Sequence, residues 1–168
     1  MTAVSNAGPL IHLAKIGQLE LIKSIFGDVV VPKTVWTEVV ERGKEKGEPN
    51  AFLVDEAGWI KVVEDPARAD EMARMAGIHK GEACAILLAK SMGVPVLLDD
   101  SGARRFAQGL ELAVVGSVGI LLRAVRLRII TVDDGLRYLG ELANAMWLSV
   151  GVYERARRAI EEMRHPAT

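Results

Sequence analysis

A single cysteine, Cys84, stands in a chain of 168 residues. One thiol can form neither an internal disulfide nor a multi-cysteine zinc site, and such sparing use fits a reducing cytosol. Aromatic residues make up only 5% of the chain, so a platform for stacking nucleic-acid bases is not evident. The three histidines, His12, His79 and His165, are widely spaced single residues, which is not zinc-site spacing. No apolar run reaches the ~18 residues of a membrane span. The opening MTAVSNAGPL lacks the basic segment that begins a signal peptide. A cytoplasmic location and no membrane partner are therefore expected. The formal net charge is −1, so the chain as a whole does not advertise a nucleic-acid or membrane surface.

What is present is a globular composition, 50% hydrophobic and 26% charged, in a length suited to one domain with a substantial core. Short β-type runs fall at 3–5, 28–31 (DVVV), 59–63 (WIKVV), 94–98 (VPVLL) and 112–115 (LAVV). Continuously apolar runs suit strands buried on both faces of a parallel sheet. Helical patterns lie between them at 9–16, 19–26, 32–42, 81–92, 101–109 and 117–126, with two more at 131–142 and 149–163. The segment 41–50 (ERGKEKGEPN) reads as a polar loop. Alternating strands and helices imply an α/β domain with a mainly parallel central sheet. The expectation is one domain over 1–168, with a C-terminal helical extension from about 131 to 165. Such sheets bind ligands beyond the carboxyl ends of their strands, at the point where strand order reverses.

Carboxylates collect at those places. Asp99 and Asp100 directly follow VPVLL; adjacent acids there repel unless solvated or shared by a cation, although either can simply cap the next helix. A second pair, Asp133 and Asp134, follows Thr131 in a helix-start pattern and reads as structural. Glu82, in GEACAILLAK, shares a helix face with core residues. Its place in a first turn is also what the helix dipole favours, and the two readings balance. Glu38 sits at the edge of an apolar stripe in TVWTEVVERG, where taken alone a solvated glutamate is the slightly better reading. Asn6, in VSNAGPLIHL, either caps the helix after the first strand or is a site residue with its charge removed. Together these clustered hard oxygens suit Mg²⁺ or Mn²⁺, which activate water and neutralise phosphate charge.

The order strand–Asn6–helix, TEVV, GEACAI and LLDDSGARRFA, with KIGQLELIKSIFGDVVVP and GSVGILLRA, resembles the PIN-domain family. It is most similar to a PIN subgroup frequent in archaea and akin to toxin-type ribonucleases. The resemblance implies a parallel sheet with helices on both faces, extra C-terminal helices, and metal-dependent RNA cleavage. It carries the family acids onto Asn6, Glu38, Glu82 and Asp100, with Asp99 assisting. Ala7 and Gly8 stand where small hydroxyl residues are expected.

RNA is gripped by its phosphates, and five arginines between positions 100 and 128 face only two acids. Arg104 and Arg105, one turn after Asp100, are the candidate phosphate contacts; a solvated helix face explains them equally well. The resemblance also implies a possible antitoxin protein and a homodimer. The apolar set Trp147, Leu148, Val152 and Tyr153 is expected to pack internally, with dimerisation open. Two alternatives to a nuclease stand beside it. One is a silent PIN-like module that binds RNA or a protein because Asn6 replaces an acid. The other, less favoured, is a phosphotransfer domain, whose acceptor Asp and late Lys have no counterparts at Asn6 and Gly116.

Overall fold

A computed structural model describes residues 2–164. Five strands, β1 (Ala3–Ser5), β2 (Val29–Pro32), β3 (Ile60–Val63), β4 (Val96–Leu97) and β5 (Val114–Val115), form one sheet. Its order is β3-β2-β1-β4-β5 and every pairing is parallel. The expected α/β class and parallel sheet are what the chain forms.

Side chains alternate between the sheet's faces with the strand period of two. Ala3, Val29, Val31, Leu97 and Val115 enter one apolar cluster. Val4, Val30, Val96 and Leu98 enter the other. Both clusters are closed by helices. On the first face lie α1 (Ala7–Lys15), α2 (Glu20–Phe26) and the later helices α9 (Ser117–Arg126), α10 (Val132–Met146) and α11 (Val150–Glu162). On the second lie α7 (Lys80–Met92) and α8 (Ser101–Gly109). This burial on both faces is why β-branched runs without polar alternation form the inner strands. The edge strand β3 is only partly covered.

After β2 the chain stays helical through α3 (Lys33–Trp36), a π-helical segment (Thr37–Glu41) and α4 (Arg42–Glu45). Pro32 is the last residue of β2, paired with Val63, and not the first of the helix. The segment read as a polar loop at 41–50 is mostly helical: α4 occupies its first half, and α5 (Pro49–Asp55) begins at its end with proline in the first turn. A further helix, α6 (Ala69–Ala76), lies outside the helical patterns expected from the sequence. The C-terminal extension forms α10 and α11; its boundary residue His165 lies outside the described residues. No helix among the described residues is long and apolar enough to cross a membrane.

The order reverses at β1. The chain leaves β1 toward β2 through α1 on one face, and leaves β4 toward β5 through α8 on the other. The two departing helices open a crevice between the ends of β1 and β4, where such sheets hold ligands.

Candidate functional site

A cleft of about 390 Å³ occupies that crevice, lined by Asn6, Glu38, Glu82, Asp99 and Asp100. Those five sequence candidates come from four separate parts of the chain. His12, Gly81 and Met146 line it as well. The amino ends of α1, α7 and α8 meet there, and their partial positive charges favour the carboxylates.

Asn6 is 8% exposed and precedes α1, yet its side chain makes no capping bond. Its backbone N–H donates to Leu97 O at 3.0 Å, tying the end of β1 to β4. A side chain on Gly81 would place its Cβ 3.5 Å from Asn6 Oδ1 and 3.6 Å from Glu38 Oε2. The amide and the exposed Glu38 carboxylate therefore converge on a space that glycine leaves open. The capping reading of Asn6 does not hold in this structure.

Glu38 lies in the π-helical turn, a local widening of the helix often found at functional positions. Glu82 is buried at 6% exposure, and its Oε1 accepts the His79 N–H at 2.9 Å. Burial pushes its carboxyl above the usual value, and repulsion from Asp100 and Glu38 adds to the shift. The inward reading of Glu82 and the helix-start reading are both correct: the residue does both. Asp100 is exposed and caps α8, accepting Ala103 N–H at 2.9 Å through Oδ2.

Asp99 behaves differently from its neighbour. One oxygen accepts Ser117 N–H at 2.7 Å; the other accepts Ser117 Oγ–H at 2.6 Å and meets His12 Nδ1 at 2.7 Å. Burial alone would raise its pKa, but the hydrogen bonds from His12 and Ser117 outweigh it and hold the carboxyl below the usual range. An ionised Asp99 only accepts, so His12 donates through Nδ1 and Nε2 is left as the open ring nitrogen. Gly8 makes this possible, because a Cβ there would sit 3.1 Å from Asp99 Oδ2. The glycine that stands where a small hydroxyl was expected is thus the surface against which Asp99 packs.

Two residues that hold Asp99 in the cleft escaped the sequence reading. His12 lies four residues after Gly8, hence on the same face of α1. Ser117 opens α9, separated from β5 only by Gly116, near the strand end where site residues of such sheets fall. Both signals were in the sequence, but a lone histidine on an apolar helix reads first as packing.

The arginines divide. Arg104 and Arg105 line an adjoining groove and not the acidic cleft. Arg123 lies over the Phe26 ring at 5.9 Å, and Arg126 and Arg128 lie beside Asp133 and Asp134 at another surface. The local excess of charge between positions 100 and 128 is therefore not one patch. Cys84 is fully buried, with its thiol pushed up to about 12 by burial and by Asp65, so it is inert.

Among the described residues, no three His, Cys, Asp or Glu side chains stand close enough together to hold a metal ion in the positions they adopt. The donor chemistry nevertheless fits a hard divalent cation. The donors are carboxylate and amide oxygens around a space that a Cβ at Gly81 would fill, and Glu82 and Asp100 each use only one oxygen in a hydrogen bond.

A family model described as a PIN domain matches residues 2–162. The chain belongs to the PIN-domain family. The five-stranded parallel sheet and the acidic cleft at its switch point agree with that membership. Members of this PIN family have a nuclease-like fold, which makes phosphodiester hydrolysis the reaction class to consider. No curated protein matches the chain with significant similarity.

Proposed function

We propose that this PIN-domain protein is a ribonuclease that hydrolyses RNA phosphodiesters with the help of Mg²⁺ or Mn²⁺. The observation that supports it most is the meeting of Glu38, Glu82, Asp99 and Asp100 with Asn6 in one cleft, where the Glu82 carboxyl is buried. Acids that repel one another in a cleft are stabilised by a shared cation.

Glu38, Glu82 and Asp100 would hold the cation, with the Asn6 carbonyl oxygen as a neutral fourth donor. A divalent cation bound there supplies activated water and neutralises charge on the phosphate. Asp99 accepts a hydrogen bond from His12 Nδ1, which fixes the imidazole ring in the wall of the cleft. Ser117 fixes the Asp99 carboxylate from the other side. No protein nucleophile is needed. The basic groove beside Asp99 offers Arg104 and Arg105 to flanking phosphates.

A silent RNA- or protein-binding module is the second reading, favoured by the missing charge at Asn6. Cleavage of a single-stranded RNA panel in Mn²⁺, Mg²⁺ and EDTA, by the native protein and by Asn6→Asp, separates the two. Native cleavage that EDTA stops supports the enzyme. Cleavage by Asn6→Asp alone means that this member is silenced at position 6, and cleavage by neither overturns the nuclease reading.

A further inference from the structure

The proposed chemistry leaves the second ring nitrogen of His12 unused. His12 lines the acidic cleft from α1, and its side chain is 22% exposed. Nδ1 meets Asp99 Oδ2 at 2.7 Å, and the N–H and Oγ–H of Ser117 clamp Asp99 in turn. Three parts of the chain thus brace the ring: α1, the β4–α8 corner and the start of α9. Gly8, one turn before His12, leaves the room through which Asp99 reaches it, since a Cβ there would stand 3.1 Å from Asp99 Oδ2. A ring held this firmly is in place before any ligand arrives.

The bond to Asp99 decides what the second nitrogen can do. Ionised Asp99 only accepts, so the proton of a neutral ring sits on Nδ1 and Nε2 carries a lone pair. Among the described residues Nε2 has no hydrogen-bond partner. It is not sealed in the interior either, because the unpartnered buried side-chain atom among those residues is Asn50 Nδ2. A ligand that completes Nε2 therefore has to bring a donor. Phosphodiester oxygens carry no hydrogen. The sugar of RNA does: each ribose has a 2′-hydroxyl, on the carbon next to the one that bears the 3′-phosphate. Base edges also donate, but they lie further from the phosphate. Glu38, Glu82 and Asp100 accept as well, but their oxygens are those the cation uses.

We propose that His12 reads the ribose 2′-hydroxyl beside the scissile phosphate and so makes the cleft select RNA over DNA. The hydroxyl donates to Nε2, and Asp99 and Ser117 are positioning residues that hold the ring to receive it. The inference rests on the ribonuclease reading above and adds its sugar specificity. Deoxyribose leaves Nε2 without a donor, and an unpaired polar group is how such sites reject an analogue.

The test compares labelled oligomers of one single-stranded sequence as RNA, as 2′-fluoro RNA and as DNA. Fluorine keeps the ribose-like sugar shape but donates no hydrogen bond, which separates the donor from the shape. Affinities are read by fluorescence anisotropy at pH 8 in Ca²⁺, with a gel to confirm that the RNA stays intact. In Mn²⁺ the same ratios are read as kcat/KM. The native protein prefers RNA to 2′-fluoro RNA about tenfold. His12→Ala and His12→Phe hold RNA no better than 2′-fluoro RNA. Weakening of every oligomer alike in both variants, with the native ratios kept, makes His12 merely structural and overturns the proposal. Equal native affinity for RNA and 2′-fluoro RNA overturns it without any variant, and leaves the nuclease reading to its cleavage assay. A native protein that neither binds nor cleaves RNA removes both readings.

Discussion

The dipeptide Asp-Asp occurs at two helix starts in this chain, and the two places treat it differently. At the start of α10, Thr131 caps the helix by accepting Asp134 N–H at 3.0 Å, and the aspartates pair outward with Arg137 and Arg164. At the β4–α8 corner the capping falls to Asp100 itself, while Asp99 turns inward to Ser117 and His12. The difference lies in what precedes the pair. A buried parallel strand at the switch point delivers Asp99 and Asp100 among other helix starts and other acids, whereas a surface turn delivers Asp133 and Asp134 to solvent. Position in the topology, and not the dipeptide, decides whether an acidic pair faces the cleft.

Truncation should expose this contrast most strongly in stability. Asp99→Ala leaves the Ser117 and His12 donors unpaired in a place where the Asp99 side chain is only 10% exposed. It should cost about 3 kcal/mol. Asp134→Ala, which removes an exposed pair, should not shift a denaturant midpoint measurably.

Cation binding comes next. Saturating Mn²⁺ at about a hundredfold above its Kd should stabilise the native protein by about 2.7 kcal/mol, several degrees in Tm. Glu82→Gln should abolish that shift while keeping the bond from His79 N–H. Asp133→Asn should respond to Mn²⁺ as the native protein does.

The pH dependence of stability should separate the inner acids. Asp99 titrates below its ordinary 3.8, so its contribution is complete above that value and is lost as pH falls through the lowered pKa. Glu82 titrates above its ordinary 4.5, so its contribution is present below 4.5 and is lost as pH rises through the raised pKa. Thermal melts in EDTA should therefore show Glu82→Gln gaining on the native protein as pH rises past 4.5. Asp99→Asn should instead remove part of the native protein's loss of stability in acid.

A small effect belongs to the surface pair's own cap. Thr131→Ala should cost ~1 kcal/mol in a thermal melt and leave RNA cleavage unchanged.

Much of this was legible in the residues. Continuous β-branched runs marked the doubly covered strands, and α8 and α9 begin and end where their patterns placed them. The acids gather in one cleft because Asp99 and Asp100 follow a strand, Glu82 opens α7, and the helical run after β2 carries Glu38 to the same place. Helices α5 and α6 were not legible: one is short and follows a charged turn, and the other buries little beyond Ala69. The partition of Asp99 from Asp100 was also hidden, since it depends on Ser117 and His12 arriving from distant parts of the chain. Trp147 was misjudged: Leu148 and Tyr153 rest against the core as expected, but Trp147, in the left-handed turn that ends α10, is 91% exposed.

Cleavage of single-stranded RNA in Mn²⁺ by Asp100→Asn, set beside the double variant Asp133→Asn with Asp134→Asn, tests the central claim most directly. Asparagine caps a helix as well as aspartate does, so both proteins should fold. The account predicts a loss of about a hundredfold or more in Asp100→Asn and a native rate in the double variant. Equal rates in all three proteins would contradict it.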